Sequence, residues 1–369
     1  MATDQGLVPL LFKRLKKSNS RSCVPADDWK LLRRAFLTNA ARNTRLFQEL
    51  GPVLQCLRSS GIKVIVLKGA FLAEAVYGDV ALRQMNDVDL MVPRAELPRA
   101  HAVLLDLGRG HQRPEDIESR FRRSAGLWLP VGAGVDLCWT IDVPGGRSRL
   151  DSTVLWDRAR PATIAGVEVL ALSPEDLLLH LCLHASHRHG LTAGLRPLCD
   201  IAETTQHFHD EVDWAQVGHS AREWRASRYV GLTLHLARSM LGAGVPDDVL
   251  EQLVPGGIDQ RILETAKESV LGQTGGYMQL MPFFGRLGAT SFGDRTKLSL
   301  ERVFLSRGEM AAMYPASCDS RHLSFYYVLR LRDVIRTYWS HTFRRGRLMM
   351  HGRGGDPNAS LVNWLKEDR

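Results

Sequence analysis

Asp87 and Asp89 stand two residues apart in the run Asp87-Val88-Asp89-Leu90-Met91-Val92, alternating with apolar side chains. Period-two alternation makes this a strand with both carboxylates on one face and Val88, Leu90 and Val92 on the other. Like charges on one face repel unless something positive lies between them. Hard oxygen donors suit Mg2+ (or Mn2+), which binds through one or two carboxylates together with substrate phosphates. The bland alternative is a solvated edge strand with two exposed aspartates.

The elements that must position this pair come just before it. Ile62 to Leu67 is a short apolar, β-branched run that reads as a buried strand, stopped by Lys68-Gly69. Phe71, Leu72, Ala75 and Val76 then recur at helical spacing, so the strand turns directly into a helix whose N-terminus lies beside Gly69. Such a terminus offers free N–H groups to an anion. Tyr77-Gly78-Asp79 closes the helix. Arg83 follows, either as a bidentate phosphate ligand or as a structural ion partner of Asp87 or Asp79.

Together, Leu67-Lys68-Gly69, Tyr77, Arg83, Asp87, Asp89 and Leu90 resemble the active-site signature of the polymerase-β-type nucleotidyltransferase superfamily. They resemble more closely a bacterial branch catalogued as "nucleotidyltransferase family protein". The resemblance implies an α+β fold: a small mixed-sheet nucleotidyltransferase domain with a larger helical C-terminal domain. It also implies metal-dependent transfer of a nucleoside monophosphate from a nucleoside triphosphate to a hydroxyl or phosphate acceptor. A third carboxylate on a later strand completes such sites as metal ligand or base. Asp136, between Val135 and Leu137, has the matching context, and Asp142 is a competitor at a loop edge. The superfamily usually carries Gly-Ser or Gly-Gly at the turn, where this chain has Lys68-Gly69. The phosphate contact is therefore expected from Lys68 or from the Gly69 backbone N–H. Branch members occur in bacterial natural-product and polysaccharide settings, which favours a small-molecule or peptide acceptor over RNA. Two rivals stand beside this reading: a tRNA-directed, toxin-like transferase, and a catalytically silent binding protein with the same fold.

His180, His184 and His187 fall at spacings of four and three, within reach of a shared metal on one helix face, although the glutamate of an HExxH motif is missing. Packing histidines are the commoner outcome among such apolar neighbours. The branch has histidines here and an aspartate corresponding to Asp200, so the resemblance places His184, His187 and Asp200 along the cleft between the domains.

The 369 residues suffice for about two domains. The chain is expected to divide into a helical lead-in over 1–60, a catalytic nucleotidyltransferase domain over 61–172, a helical domain over 173–342 and a basic, mobile tail over 343–369. Asp27-Asp28 offers an N-cap for the lead-in helix, which Gly51-Pro52 kinks or splits. Arg113, Arg120, Arg122 and Arg123 form a basic stretch suited to phosphate or to solvent. Residues 163–172 around Gly166 read as a hairpin, and Ser173-Pro174 starts a capped helix. Helices are expected over Leu195 to Phe208, Trp214 to Met240 and Asp247 to Leu271, and closing helices over Leu298 to Met313 and Leu323 to Trp339.

At 44% hydrophobic and 24% charged residues, wholesale disorder is excluded. The formal charge of +8 is uneven: residues 1–60 hold 11 basic and 4 acidic side chains, and residues 321–369 hold 10 and 4. Both ends offer a basic surface to polyphosphate or RNA, or simply aid solubility. Six cysteines without a CxxC pair point to a reducing cytoplasm. No apolar run reaches membrane-spanning length, and the polar start is not a signal peptide.

Overall fold

The computed structural model describes residues 5–107, 127–129, 134–144, 150–272 and 357–367. The expected arginine stretch from Arg113 to Arg123 and the closing helices over 298–339 lie outside these residues. The chain divides into two compact units, Met1–Gln273 with Trp364–Arg369, and Thr274–Asn363. The boundary expected at 173 therefore falls inside the first unit, where it marks a change from sheet to helix.

The fold is α+β. Its sheet has six strands: β1 (Ile65–Val66), β2 (Asp87–Met91), β3 (Leu127–Trp128), β4 (Gly134–Cys138), β5 (Arg160–Ile164) and β6 (Val167–Ala171). Their order is β3-β4-β2-β1-β6-β5, and the sheet is mixed. β1 runs antiparallel to β2 and parallel to β6, while β2 and β4 are parallel with Val88 beside Val135 and Asp89 beside Asp136. The apolar alternates Val88, Leu90, Val135 and Leu137 are all buried, which sends the carboxylates of both strands to the other face. The β5–β6 hairpin turns at Ala165 (φ 51°) and Gly166 (φ 75°), the left-handed pair that a two-residue turn requires.

The lead-in begins with α1 (Val8–Lys17) and continues into α2 (Ala26–Ser59), a single helix of 34 residues. Pro52 lies inside it without splitting it. Leu50, Val53, Leu54 and Leu57 are all buried, and their packing holds the helix together across the missing N–H. Gly51 serves proximity here, since a Cβ at that position would stand 3.1 Å from the Ala165 carbonyl oxygen at the hairpin turn. Asp27 and Asp28 fall in the first turn rather than at the cap, which is Pro25.

Behind β1 comes α3 (Lys68–Phe71), continued by a π turn over Leu72–Val76. Among the described residues, α4 (Leu97–Asp106) and the short α5 (Thr153–Asp157) are the further α-helices in this part of the chain. Beyond the sheet, α6 (Pro174–Leu183) is buried along its whole length and capped by the Ser173 hydroxyl, which accepts from the Asp176 N–H. It is surrounded by α7 (Arg196–His207), α8 (Trp214–Glu223) and α9 (Ser227–Leu241). α8 and α9 replace one expected helix, broken where Arg225 adopts φ 50°. α10 (Asp247–Leu253) and α11 (Gln260–Leu271) replace another. Pro255, Gly256 and Gly257 lie between them, so here the helix-breaking residues outweigh the apolar spacing. Within the span expected to be a mobile tail, Pro357–Lys366 forms α12, and the Trp364 carbonyl accepts from Arg228 Nη1 at 2.7 Å. No helix among the described residues is long and apolar enough to cross a membrane.

Candidate active site

Parallel pairing of β2 with β4 places Asp136 directly beside Asp89, and Asp87 is one alternation away on the same face. One carboxylate oxygen from each of the three lies within 4.8 Å of the others. All three are exposed or half-buried, so the cluster opens to solvent on one side. An all-oxygen, all-anionic donor set of this kind fits a hard divalent cation.

Lys68, at the start of α3, sends its ammonium to Asp89 Oδ2 at 2.9 Å. The same Nζ lies 3.4 Å from His184 Nε2, and His189 Nε2 is 3.2 Å from that ring nitrogen. Burial, then the nearby Lys68 cation, pushes the His184 imidazole well below the usual histidine value, so the ring is neutral. An ammonium only donates, so His184 Nε2 accepts and its proton resides on Nδ1. His187 stands apart from this contact, with its ring edge-on to Tyr229 at 5.2 Å between centroids. Among the described residues the three aspartates form the group of metal-capable side chains; the histidines of this helix do not join it.

Arg83 is committed elsewhere. Its Nε and Nη2 donate to Asp200 Oδ1 at 2.9 Å and Oδ2 at 2.8 Å, and the Tyr77 hydroxyl donates to Oδ1 at 3.0 Å. The guanidinium is 10% exposed and the carboxylate 3%, so the fork is a buried pair. Of the alternatives open to Arg83, it is an ion partner, but its partner is Asp200, while Asp79 pairs with Lys13 at 2.7 Å. Asp200 is thus buried behind the turn. Burial and the Asp200 carboxylate hold the Tyr77 phenol well above its ordinary value. Gly69 makes room for this arrangement: a Cβ there would be 3.3 Å from Arg83 Nη1 and 3.6 Å from the Asp87 carbonyl oxygen.

The loop between α3 and β2 is held by residues outside the motif. Asn39 Nδ2 donates to the Ala81 carbonyl at 2.7 Å, and Asn43 Nδ2 donates to those of Val80 and Arg83 at 2.5 and 2.7 Å. Arg42 adds donations to the Met85 carbonyl and to Asn86 Oδ1. The signal was present, since Asn39 and Asn43 fall four apart on the stripe that continues through Leu46 and Leu50, where polar side chains need a reason. A second pair of the same kind ties the C-terminal end of α5 to α6, with Arg158 Nε and Nη2 donating to Asp176 Oδ2 and Oδ1 at 2.9 and 2.7 Å. Arg188 was also missed. It ends the π turn His184–Arg188 that extends α6, its Nη1 lies 3.7 Å from Asp142 Oδ2, and it feels the charges of Asp136, Asp89 and Asp87.

No match was found among curated proteins. The solution structure of the antibiotic-resistance factor ANT(2'')-Ia is similar over 52% of this chain and 97% of that protein, at 16% identity and a TM-score of 0.36, a level that carries no argument about function. The family model described as "uncharacterised nucleotidyltransferase" matches residues 1–242, and with the strand-borne aspartates inside that span, the chain belongs to this nucleotidyltransferase family.

Proposed function

We propose that this nucleotidyltransferase moves a nucleoside monophosphate from a nucleoside triphosphate to a hydroxyl or phosphate of a small-molecule or peptide acceptor, using Mg2+ or Mn2+ held by Asp87, Asp89 and Asp136. The observation that carries the reading is the convergence of those three carboxylates from two parallel strands beside a strand-to-helix turn. A bound divalent cation would supply charge neutralisation at the reacting phosphate. The protein's own part is positional. β2 and β4 aim the carboxylates, Asp136 stands ready to take the proton of an acceptor hydroxyl, and Lys68 waits at the anion-favouring helix start. The catalytic part is read as 61–172, with the helices of 1–60 and those after 173 bracing it.

Support for a small acceptor comes from the use made of the basic N-terminal segment. Lys13 and Arg14 are engaged with Asp79 and Glu203, so these two charges hold α1 in place rather than meeting a nucleic acid. The decisive experiment incubates the purified chain with each α-labelled nucleoside triphosphate, Mg2+ and a cell extract. Label is expected in a low-molecular-weight or peptide fraction. Label in RNA would instead establish the tRNA-directed rival, and no transfer of any label by folded protein would leave the silent binder.

Lys68 has a separate expected signature. Because its ammonium now occupies Asp89, Lys68→Ala should tighten Mn2+ binding in the absence of nucleotide yet weaken triphosphate binding roughly tenfold or more, the scale of a lost charged hydrogen bond. Calorimetry with metal alone and with metal plus triphosphate separates the two; unchanged triphosphate affinity would reduce Lys68 to a local ion partner.

A further inference from the structure

Among the described residues the partly or wholly buried guanidiniums of Arg83, Arg158, Arg188 and Arg196 are held differently, Arg196 donating to the Gln84 carbonyl at 3.3 Å. Arg83 and Arg158 each face a carboxylate with two donors at 2.7–2.9 Å. Arg188 has a side-chain exposure of 29%, close to the 24% of Arg158, but among the described residues its carboxylate partner within ion-pair range is Asp142 at 3.7 Å, beyond hydrogen-bonding distance. A desolvated guanidinium without a close bidentate partner is costly unless something else uses its fork. Burial works against its charge, and the carboxylates of Asp136, Asp89 and Asp87, in that order, work for it. It is carried on a π turn, an irregularity that recurs at functional sites.

We propose that Arg188 binds the β- and γ-phosphates of the donor nucleotide, making it the residue that selects a triphosphate over a monophosphate. The inference rests on the nucleotidyltransferase reading and assigns its polyphosphate contact to a residue outside the motif. Arg83 is already tied through its Nε–Nη2 edge to Asp200, whereas the carboxylate nearest Arg188 lies beyond hydrogen-bonding distance. Planar guanidinium and phosphate match bidentately, which a lysine does not reproduce. The formal charges fit the same role. Lys68 meets Asp89 at 2.9 Å and Arg188 lies 3.7 Å from Asp142, so both cations border the acidic cluster. With a divalent cation held by the strand carboxylates, their pull on Arg188 would fall and its guanidinium would be left for phosphate oxygens. In the transfer, the acceptor oxygen forms a bond to the α-phosphorus and gives its proton to a carboxylate. The bond from the α-phosphorus to the bridging oxygen breaks, and pyrophosphate leaves with that electron pair. The charge gathered on pyrophosphate is what a guanidinium at this place stabilises.

The test measures binding of inorganic tripolyphosphate with Mg2+, and of the four nucleoside monophosphates, to wild type, Arg188→Gln and Arg188→Lys. Tripolyphosphate affinity should fall roughly 10–100-fold in Arg188→Gln, the range for a lost charged contact, and by an intermediate factor in Arg188→Lys, with monophosphate affinity within about twofold of wild type. Mn2+ titration followed by electron paramagnetic resonance checks that the carboxylate site is intact in each variant. Equal tripolyphosphate affinity in all three proteins would overturn the proposal and make Arg188 a charge balancer for the acids. Failure of wild type to bind tripolyphosphate while nucleoside triphosphates bind would overturn it too. If wild type binds no nucleoside triphosphate with metal, the nucleotidyltransferase reading falls first and the proposal with it.

Discussion

Asp89→Asn is expected to lower nucleotidyl transfer on the order of 10³-fold and to remove the metal-dependent rise in melting temperature. The substitution nearly preserves shape while deleting one charge. Asp89 sits at the centre of the cluster, paired in register with Asp136, two residues from Asp87 and in contact with Lys68. Interactions that act on developing charge in a preorganised site carry factors of about 10²–10³ each when single donors are removed, and a carboxylate shared with a divalent cation belongs at the upper end. For the wild type, metal at about a hundred times Kd adds about 2.7 kcal/mol of stability. At this chain size that amounts to a rise of roughly 3–5 °C. Differential scanning fluorimetry with and without Mn2+, run beside the transfer assay, reads both effects. Retained transfer together with a retained thermal shift in Asp89→Asn would remove the carboxylate cluster from the mechanism. Asp136→Asn separates two roles: lost transfer with most of the thermal shift preserved marks the proton acceptor, whereas loss of both marks a metal ligand.

Asp200→Ala is expected to destabilise the fold by about 3–5 kcal/mol, the scale for leaving one half of a buried ion pair uncompensated. The pair is a two-donor fork, closed further by the Tyr77 hydroxyl and screened from solvent on both sides. It joins α7 to the loop that leads into β2, so its loss should also loosen the aim of Asp87. Removing both charges is a different experiment. Arg83→Met combined with Asp200→Leu leaves no orphaned charge and should recover most of the lost stability, because a buried pair gains little over well-packed apolar groups. Urea unfolding of both single variants and the double variant closes the cycle. A loss under about 1 kcal/mol in Asp200→Ala would mean that water reaches the guanidinium and that the fork is not the tie between these elements.

Both experiments concern contacts that were unequally legible beforehand. The two strand-mates Asp87 and Asp89 were visible because alternation is local: period two sends them to one face whatever the strand pairs with. The capped start of α6 was equally plain, since Ser173 and Pro174 act within one turn. Arg83 could be seen as important but not assigned, because Asp200 lies 117 residues away and no local pattern relates the two. Arg188 carried no motif, and its interest comes only from the carboxylates it faces. The split of α8 from α9 was hidden for the opposite reason. The apolar spacing runs through the break, and the positive φ sits on Arg225, a residue that does not advertise it.

By itself, then, the order of amino acids determined the local geometry of the carboxylate strand, the turn at Lys68-Gly69, the hairpin and the cap, all set by steric and hydrogen-bonding rules that act over a few residues. The tertiary structure alone decided that β4 lies parallel to β2 in the register that puts Asp136 beside Asp89. It also decided which of the partly or wholly buried arginines face a carboxylate at hydrogen-bonding distance and which do not. The reason is physical. Strand order and ion-pair partners are chosen by the burial of apolar faces far apart in the chain, and the energy of a charge depends on what surrounds it in space rather than on its neighbours in sequence.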